Sequence, residues 1–220
     1  MGGPTSSSAV EALEAAEKNR GLKAQQLLEC VSDYWGIGAW DEVIALCDAA
    51  LEKAAVEKPY RTEGALPLKE TLAACDSYKN ALFGYFKGAA QKKLGVEELV
   101  SGGVDSPTHN SPTHKLAAFA AAAAMPTDYC FPNRLEEEEV LMLAAKAAPE
   151  LANTWYYLGC CEWNHDRKDA GLADWKKCVG LDPKHALALR CIGFGLSHPG
   201  TYFTNTGTPS GVPSMEAYEY

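Results

Sequence analysis

The chain predicts an all-α solenoid, a right-handed superhelix of antiparallel helix pairs that is irregular in its N-terminal half, and three observations carry that prediction. The first is period. Trp155, Leu158 and Gly159 recur 34 residues later as Leu189, Ile192 and Gly193, and Pro183 and Trp175 are matched 34 residues earlier by Pro149 and Leu141. A fixed period of this length marks units that cannot bury their own apolar faces and therefore stack on their neighbours. The second is apolar spacing near 3.6: from Asp41 to Val56, Val43, Ile44, Cys47, Leu51 and Ala54 fall on one stripe while Asp48, Glu52 and Lys53 lie mostly off it. The third is punctuation by glycine and proline, at Gly21, Gly36, Gly38, Pro59, Pro67, Gly95, Pro126, Pro132, Pro149 and Pro183, which cuts the chain into helix-length pieces.

The elements follow in order. Ser8 is placed to cap a helix over Ala9 to Lys18, ended by Gly21. Gly21 to Trp35 continues with Leu22, Leu27, Leu28 and Val31 at helical spacing, and the glycine-rich turn at Gly36 and Gly38 leads into the antiparallel helix from Asp41. Leu68 to Leu94 reads as one long helix or two, because Gly84 and Gly88 weaken its middle. The stretch SGGVDSPTHNS then forms an exposed loop with an internal duplication, SPTHN and SPTHK. Ser111 and Pro112 open an alanine-rich helix to about Met125, and an acidic helix runs from Leu135 to Ala147 with Glu136 to Glu139 in its first turns, where the helix dipole favours negative charge. Helices over Ala152 to Asn164, Lys168 to Val179 and His185 to Leu196 complete the region expected to be regular, from Ala117 onward. The chain divides into irregular helical pairs over 1–101, a flexible Gly/Ser/Pro loop over 102–112, helical repeats over 113–198 and a tail over 199–220 in which Met215 to Tyr220 resembles the start of a further helix.

Composition narrows the function. A net charge of -9 repels a phosphate backbone and an anionic bilayer surface, which argues against nucleic-acid and membrane partners. No apolar run approaches the roughly 18 residues that span a bilayer, and the N-terminus MGGPTSSS has no basic and apolar leader regions, so a cytoplasmic location is expected. Gly2 and Ser6 fit the N-myristoylation pattern, which is short enough to recur by chance. Eight cysteines without a CxxC pair sit mostly in apolar helical runs, which reads as reduced core packing.

The unit WYYLGCCEWNHDRKDAGLADWKKCVGLDP resembles a tetratricopeptide repeat in Trp155, Leu158, Gly159, Trp175 and Pro183, with Glu162 where an aromatic is usual and Gly171 where alanine is usual. Together with DYCFPNRLEEEEVL, it is similar to the repeat region of mainly bacterial proteins that carry an uncharacterised β-rich domain ahead of the repeats; nothing in this chain resembles that domain. The resemblance covers about a third of the chain. It implies fold and architecture and not activity; the stacked-repeat groove itself predicts a non-catalytic protein-interaction or scaffold module that receives a peptide or a neighbouring domain. The alternative from another class is a carbohydrate-binding or carbohydrate-processing accessory module. Self-association through an uncovered last repeat face is a third reading.

Candidate chemistry is weighed against packing. Cys161 and His165 share a helix face, and Cys130 or Cys178 would have to join them to make a closed zinc site, so core packing is the reading taken. His109 and His114 lie in the duplicated loop, whose Ser106 and Ser111 precede proline and could accept phosphate. Glu136 to Glu139 offer the residue type used in glycoside hydrolysis, yet neighbours on one helix fan around its axis and cannot flank a substrate, so a solvated first turn is expected, with Arg134 as an ion-pair partner. No catalytic, metal or cofactor residues are assigned. Tyr156 and Trp163, the aromatics that the repeat pattern explains least, are the predicted ligand surface.

Overall fold

A computed structural model describes residues 23–57, 77–95, 117–127 and 130–197, together with Glu11. The predicted helix at Ala9 to Lys18, the first part of the one beginning at Leu68, the duplicated loop with its serines and histidines, and the tail lie outside the described residues. Within them there are eight helices and no strand: α1 (Ala24–Gly36), α2 (Trp40–Val56), α3 (Ala81–Leu94), α4 (Ala117–Ala123), α5 (Leu135–Ala147), α6 (Ala152–Asn164), α7 (Lys168–Leu181) and α8 (Ala186–Ser197). No described helix is long and apolar enough to cross a membrane.

Consecutive helices joined by short turns pack as antiparallel neighbours, α1 on α2, α5 on α6, α6 on α7 and α7 on α8, which is the tetratricopeptide-like stack. The α1–α2 turn closes through Gly38 at φ 75°, and α3 ends on Gly95 at φ 69°, both in the left-handed region that glycine enters without a Cβ penalty. Within the best repeat, α6 and α7 approach so closely that their backbones nearly touch. A Cβ on Gly171 would lie 2.8 Å from the Gly159 carbonyl oxygen, and a Cβ on Gly159 would lie 2.5 Å from Cδ1 of Trp175. The glycine standing where alanine is usual is therefore required here, because a methyl group would collide with backbone.

The regular pairing does not begin at Ala117. α5 packs on α3 as well as on α6, whereas the seven-residue α4 lies across α3 and touches α6. The physical reason lies in the two surfaces. α3 is buried nearly all round, with Leu82, Phe83, Tyr85, Phe86, Ala89 and Ala90 at or below 1% exposure, so it holds the centre of the stack against α1, α2, α4 and α5. Short and alanine-rich, α4 offers only Ala118, Phe119 and Ala122 as a buried face. It seats on the side-chain-free positions of α3, with Ala122 over Gly84 and Phe119 over Gly88. Asn80 begins α3 by accepting a bond from the Leu82 N–H at 2.9 Å, and the Tyr85 hydroxyl meets the Thr154 hydroxyl at 2.9 Å, tying the centre to α6.

Each of the four glutamates of α5 is engaged. Glu136 pairs with Arg134 at 3.6 Å. Glu137, 2% exposed, accepts from the Asn133 and Arg134 backbone N–H groups at 2.7 and 2.9 Å, closing the helix start. Glu138 meets His165 Nδ1 at 2.7 Å and also pairs with Arg167, and Glu139 accepts from Trp35 Nε1 at 3.0 Å and pairs with Lys93. They fan around the axis as expected, but instead of a solvated turn they stitch α5 to α1, α3 and the α6–α7 turn.

Candidate functional site

The packing leaves a groove of about 360 Å³ between α6 and α8, with the proline-flanked Phe131 at its rim. That size is in the range of binding pockets. Tyr156, Cys160, Trp163 and Asn164 come from α6, Trp175 from α7, and Leu187, Arg190, Cys191 and Phe194 from α8. The rim is apolar and open: Phe131 is 65% and Phe194 55% exposed. Among the described residues that line it, Arg190 is the one cation and there is no carboxylate.

Both predicted ligand-surface residues stand on this wall, in different roles. Tyr156 is 5% exposed, its ring tilted against His185 at 4.9 Å and against Tyr157 at 5.3 Å, and burial pushes its hydroxyl pKa up. It forms floor rather than platform. Trp163 is half-buried, with Trp175 at 5.1 Å, Phe194 at 6.3 Å and the Lys168 ammonium 4.6 Å above its ring. The Trp175 indole N–H donates to the Tyr156 carbonyl at 3.2 Å, which holds α7 beneath the groove.

A polar relay fixes the groove's near end. The Ala188 N–H donates to His185 Nδ1 at 3.1 Å, so His185 Nε2 carries the proton and donates to Asn153 Oδ1 at 2.8 Å. Burial lowers the His185 pKa, in keeping with this neutral form. The Asn153 amide in turn donates to the Ala123 carbonyl at 2.6 Å, so α4, α6 and α8 are linked.

Sequence reasoning missed Phe131, Arg190 and Phe194. The period could have found two of them: Arg190 lies 34 residues after Tyr156, and Phe194 lies 34 after Cys160. Equivalent positions on successive repeats face the same side of the stack. Phe131 gives no such signal, because it sits in an irregular turn.

The metal reading fails geometrically. Cys130, Cys161 and Cys178 are core residues at 1% exposure or less, His165 is engaged by Glu138 and the Asn133 carbonyl, and the described residues contain no cluster of three or more metal-ligating side chains. Burial pushes the thiols of Cys130 and Cys178 up to about 12, which suits packing and not ligation.

Other depressions are present among the described residues. One of about 530 Å³ lies between the α1–α2 turn and α5, lined by Trp35, Ile37, Trp40, Leu135, Glu136 and Glu139; its Glu139 is already committed to Trp35 and Lys93. Another, about 180 Å³, lies beside α4.

Fold and groove together define an all-α helical-repeat protein with an open interhelical groove. No protein-family model matches the chain, and no curated protein matches it. Among solved structures it is similar to one described as the crystal structure of MamA, at 14% identity over 87% of this chain and 77% of that one, with a TM-score of 0.31. At that score the likeness transfers no property.

Proposed function

We propose that the chain is a non-catalytic protein-interaction module that receives a peptide segment or a neighbouring domain in the α6–α8 groove. The supporting observation is the pair of exposed rings, Phe131 and Phe194, on the rim of an apolar cleft with one cation, Arg190. Such a cleft suits a segment with apolar anchors and an acidic neighbour. The residues inside it are already stacked on one another, which gives a preformed surface and limits the ordering cost of binding. A sugar platform is less well supported, because the ring of Trp163 is engaged by Lys168, Trp175 and Phe194. The resemblance of Asp128 to Gly193 to repeat regions that follow a β-rich domain makes such a domain a candidate neighbour.

Selection from a displayed random-peptide library tests the reading. The wild-type chain should enrich sequences with spaced aromatic or aliphatic residues, and Phe131→Ser with Phe194→Ser should abolish the enrichment while the fold is kept. Enrichment that survives both substitutions counts against the groove.

A further inference from the structure

Among the described cysteines, Cys47, Cys130, Cys161 and Cys178 are buried and Cys30, Cys160 and Cys191 are partly exposed; of these three, Cys160 on α6 and Cys191 on α8 line the same groove. Both residues belong to the groove lining, and each thiol is the largest influence on the other's titration. They are 31 positions apart in the chain, so it is the packing of α8 beside α6 that brings them together.

We propose that Cys160 and Cys191 form a reversible disulfide across the groove wall, a modification site that staples α8 to α6 when the chain meets a peroxide. The Cys191 thiolate attacks one peroxide oxygen and the O–O bond breaks. Cys191 becomes a sulfenic acid, and the departing hydroxide takes a proton and leaves as water. Cys160 then loses its proton, its sulfur attacks the Cys191 sulfur, and the sulfenic oxygen leaves as a second water. Two thiols and one hydrogen peroxide thus give one disulfide and two waters, the sulfurs being oxidised and the peroxide reduced. The groove supplies the solvent access that both steps need.

The roles within the pair follow from their surroundings. The Cys160 thiol beside it holds the Cys191 pKa below the ordinary thiol value, with the Arg190 guanidinium adding to the effect against desolvation. Cys160 is pushed up, first by Cys191 and then by burial. Cys191 is therefore the attacking thiolate and Cys160 the resolving thiol. Because the bond would fix the separation of the two helices that form the groove, oxidation would set the groove's width. This inference stands on the thiol pair and does not depend on what the groove binds.

The test treats the reduced, full-length chain with hydrogen peroxide, alkylates the remaining thiols and maps the tryptic peptides by mass spectrometry. The expected product is one cross-link, two hydrogens lighter than the sum of its peptides and cleaved by dithiothreitol, joining the peptide that holds Cys160 to the one beginning at Cys191. Cys160→Ser and Cys191→Ser should each abolish it, and Cys161→Ala should retain it. Should the Cys161 variant fail to fold, fragment ions between Cys160 and Cys161 of the wild-type cross-link assign the sulfur. Full alkylation of both thiols after peroxide, a cross-link through another pair, or Cys191 converted to sulfinic acid without a cross-link would each overturn the proposal.

Discussion

The close approach of α6 and α7 makes a sharp prediction for one methyl group. In Gly159→Ala the added Cβ would lie 2.5 and 2.6 Å from Cδ1 and Nε1 of Trp175 and 2.9 Å from the Gly171 carbonyl oxygen. Rotation of a side chain cannot relieve this, because Trp175 is 3% exposed and its indole N–H is bonded to the Tyr156 carbonyl. Overpacking of this kind costs about 1–3 kcal/mol. Weakening a buried hydrogen bond adds about 1 kcal/mol, and the better helix propensity of alanine returns about 1 kcal/mol. The net is a loss of about 1–3 kcal/mol by these three terms. Gly180→Ala, in the same α7 but with nothing within 4 Å of the new Cβ, should instead gain about 0.5–1 kcal/mol. Urea unfolding followed by circular dichroism at 222 nm reads both. The same substitution should move the midpoint in opposite directions; a Gly159→Ala variant as stable as the wild type would refute the argument that the α6–α7 backbones touch.

Three further outcomes are expected. Glu137→Ala removes the carboxylate that accepts from the Asn133 and Arg134 N–H groups, and should lower stability by about 1–2 kcal/mol in the same urea assay. Tyr85→Phe leaves the buried Thr154 hydroxyl without its partner and should cost about 1 kcal/mol by thermal unfolding. Asp174 is held at about 6, chiefly by burial and then by Glu162, against an ordinary value of 3.8. Its folded form binds the proton more tightly than the unfolded chain, so its unfavourable contribution is present above about 6 and disappears as pH falls toward the ordinary value. Asp174→Asn should therefore stabilise the chain at pH 7 by about 1 kcal/mol, allowing for screening of a half-buried group, with no advantage at acid pH. The comparison must be with the wild type at each pH, because His185, whose pKa is lowered by burial, loses stability on acidification and opposes the trend.

Much of the helix pattern was legible because it is local. The acidic helix Leu135–Ala147 and the repeat helix Ala152–Asn164 occur with the bounds that capping, periodicity and proline predict, and the two helices after them differ by two residues or fewer. What was not legible depends on non-local packing. α5 takes α3 beside it, in addition to α6, where adjacency in sequence suggests α4, because α3 is buried on all sides at the centre of the stack. The glutamates of α5 looked like a solvated charge run since their partners, Trp35, Lys93, His165 and Arg167, lie on other elements. Of the candidate site, Tyr156 and Trp163 were visible as aromatics that the repeat does not require. Phe131 was hidden in a turn, and the meeting of Cys160 with Cys191 has no signature until α8 is placed beside α6.

Backbone amide hydrogen exchange, measured with and without a library-selected peptide, tests the central claim most directly. The account predicts slowed exchange in α6 (Ala152–Asn164) and α8 (Ala186–Ser197), the two walls of the groove, which Phe194→Ser removes. Protection centred instead on the depression formed by Trp35, Trp40 and Leu135, or none in α6 and α8 with peptide bound, would contradict it.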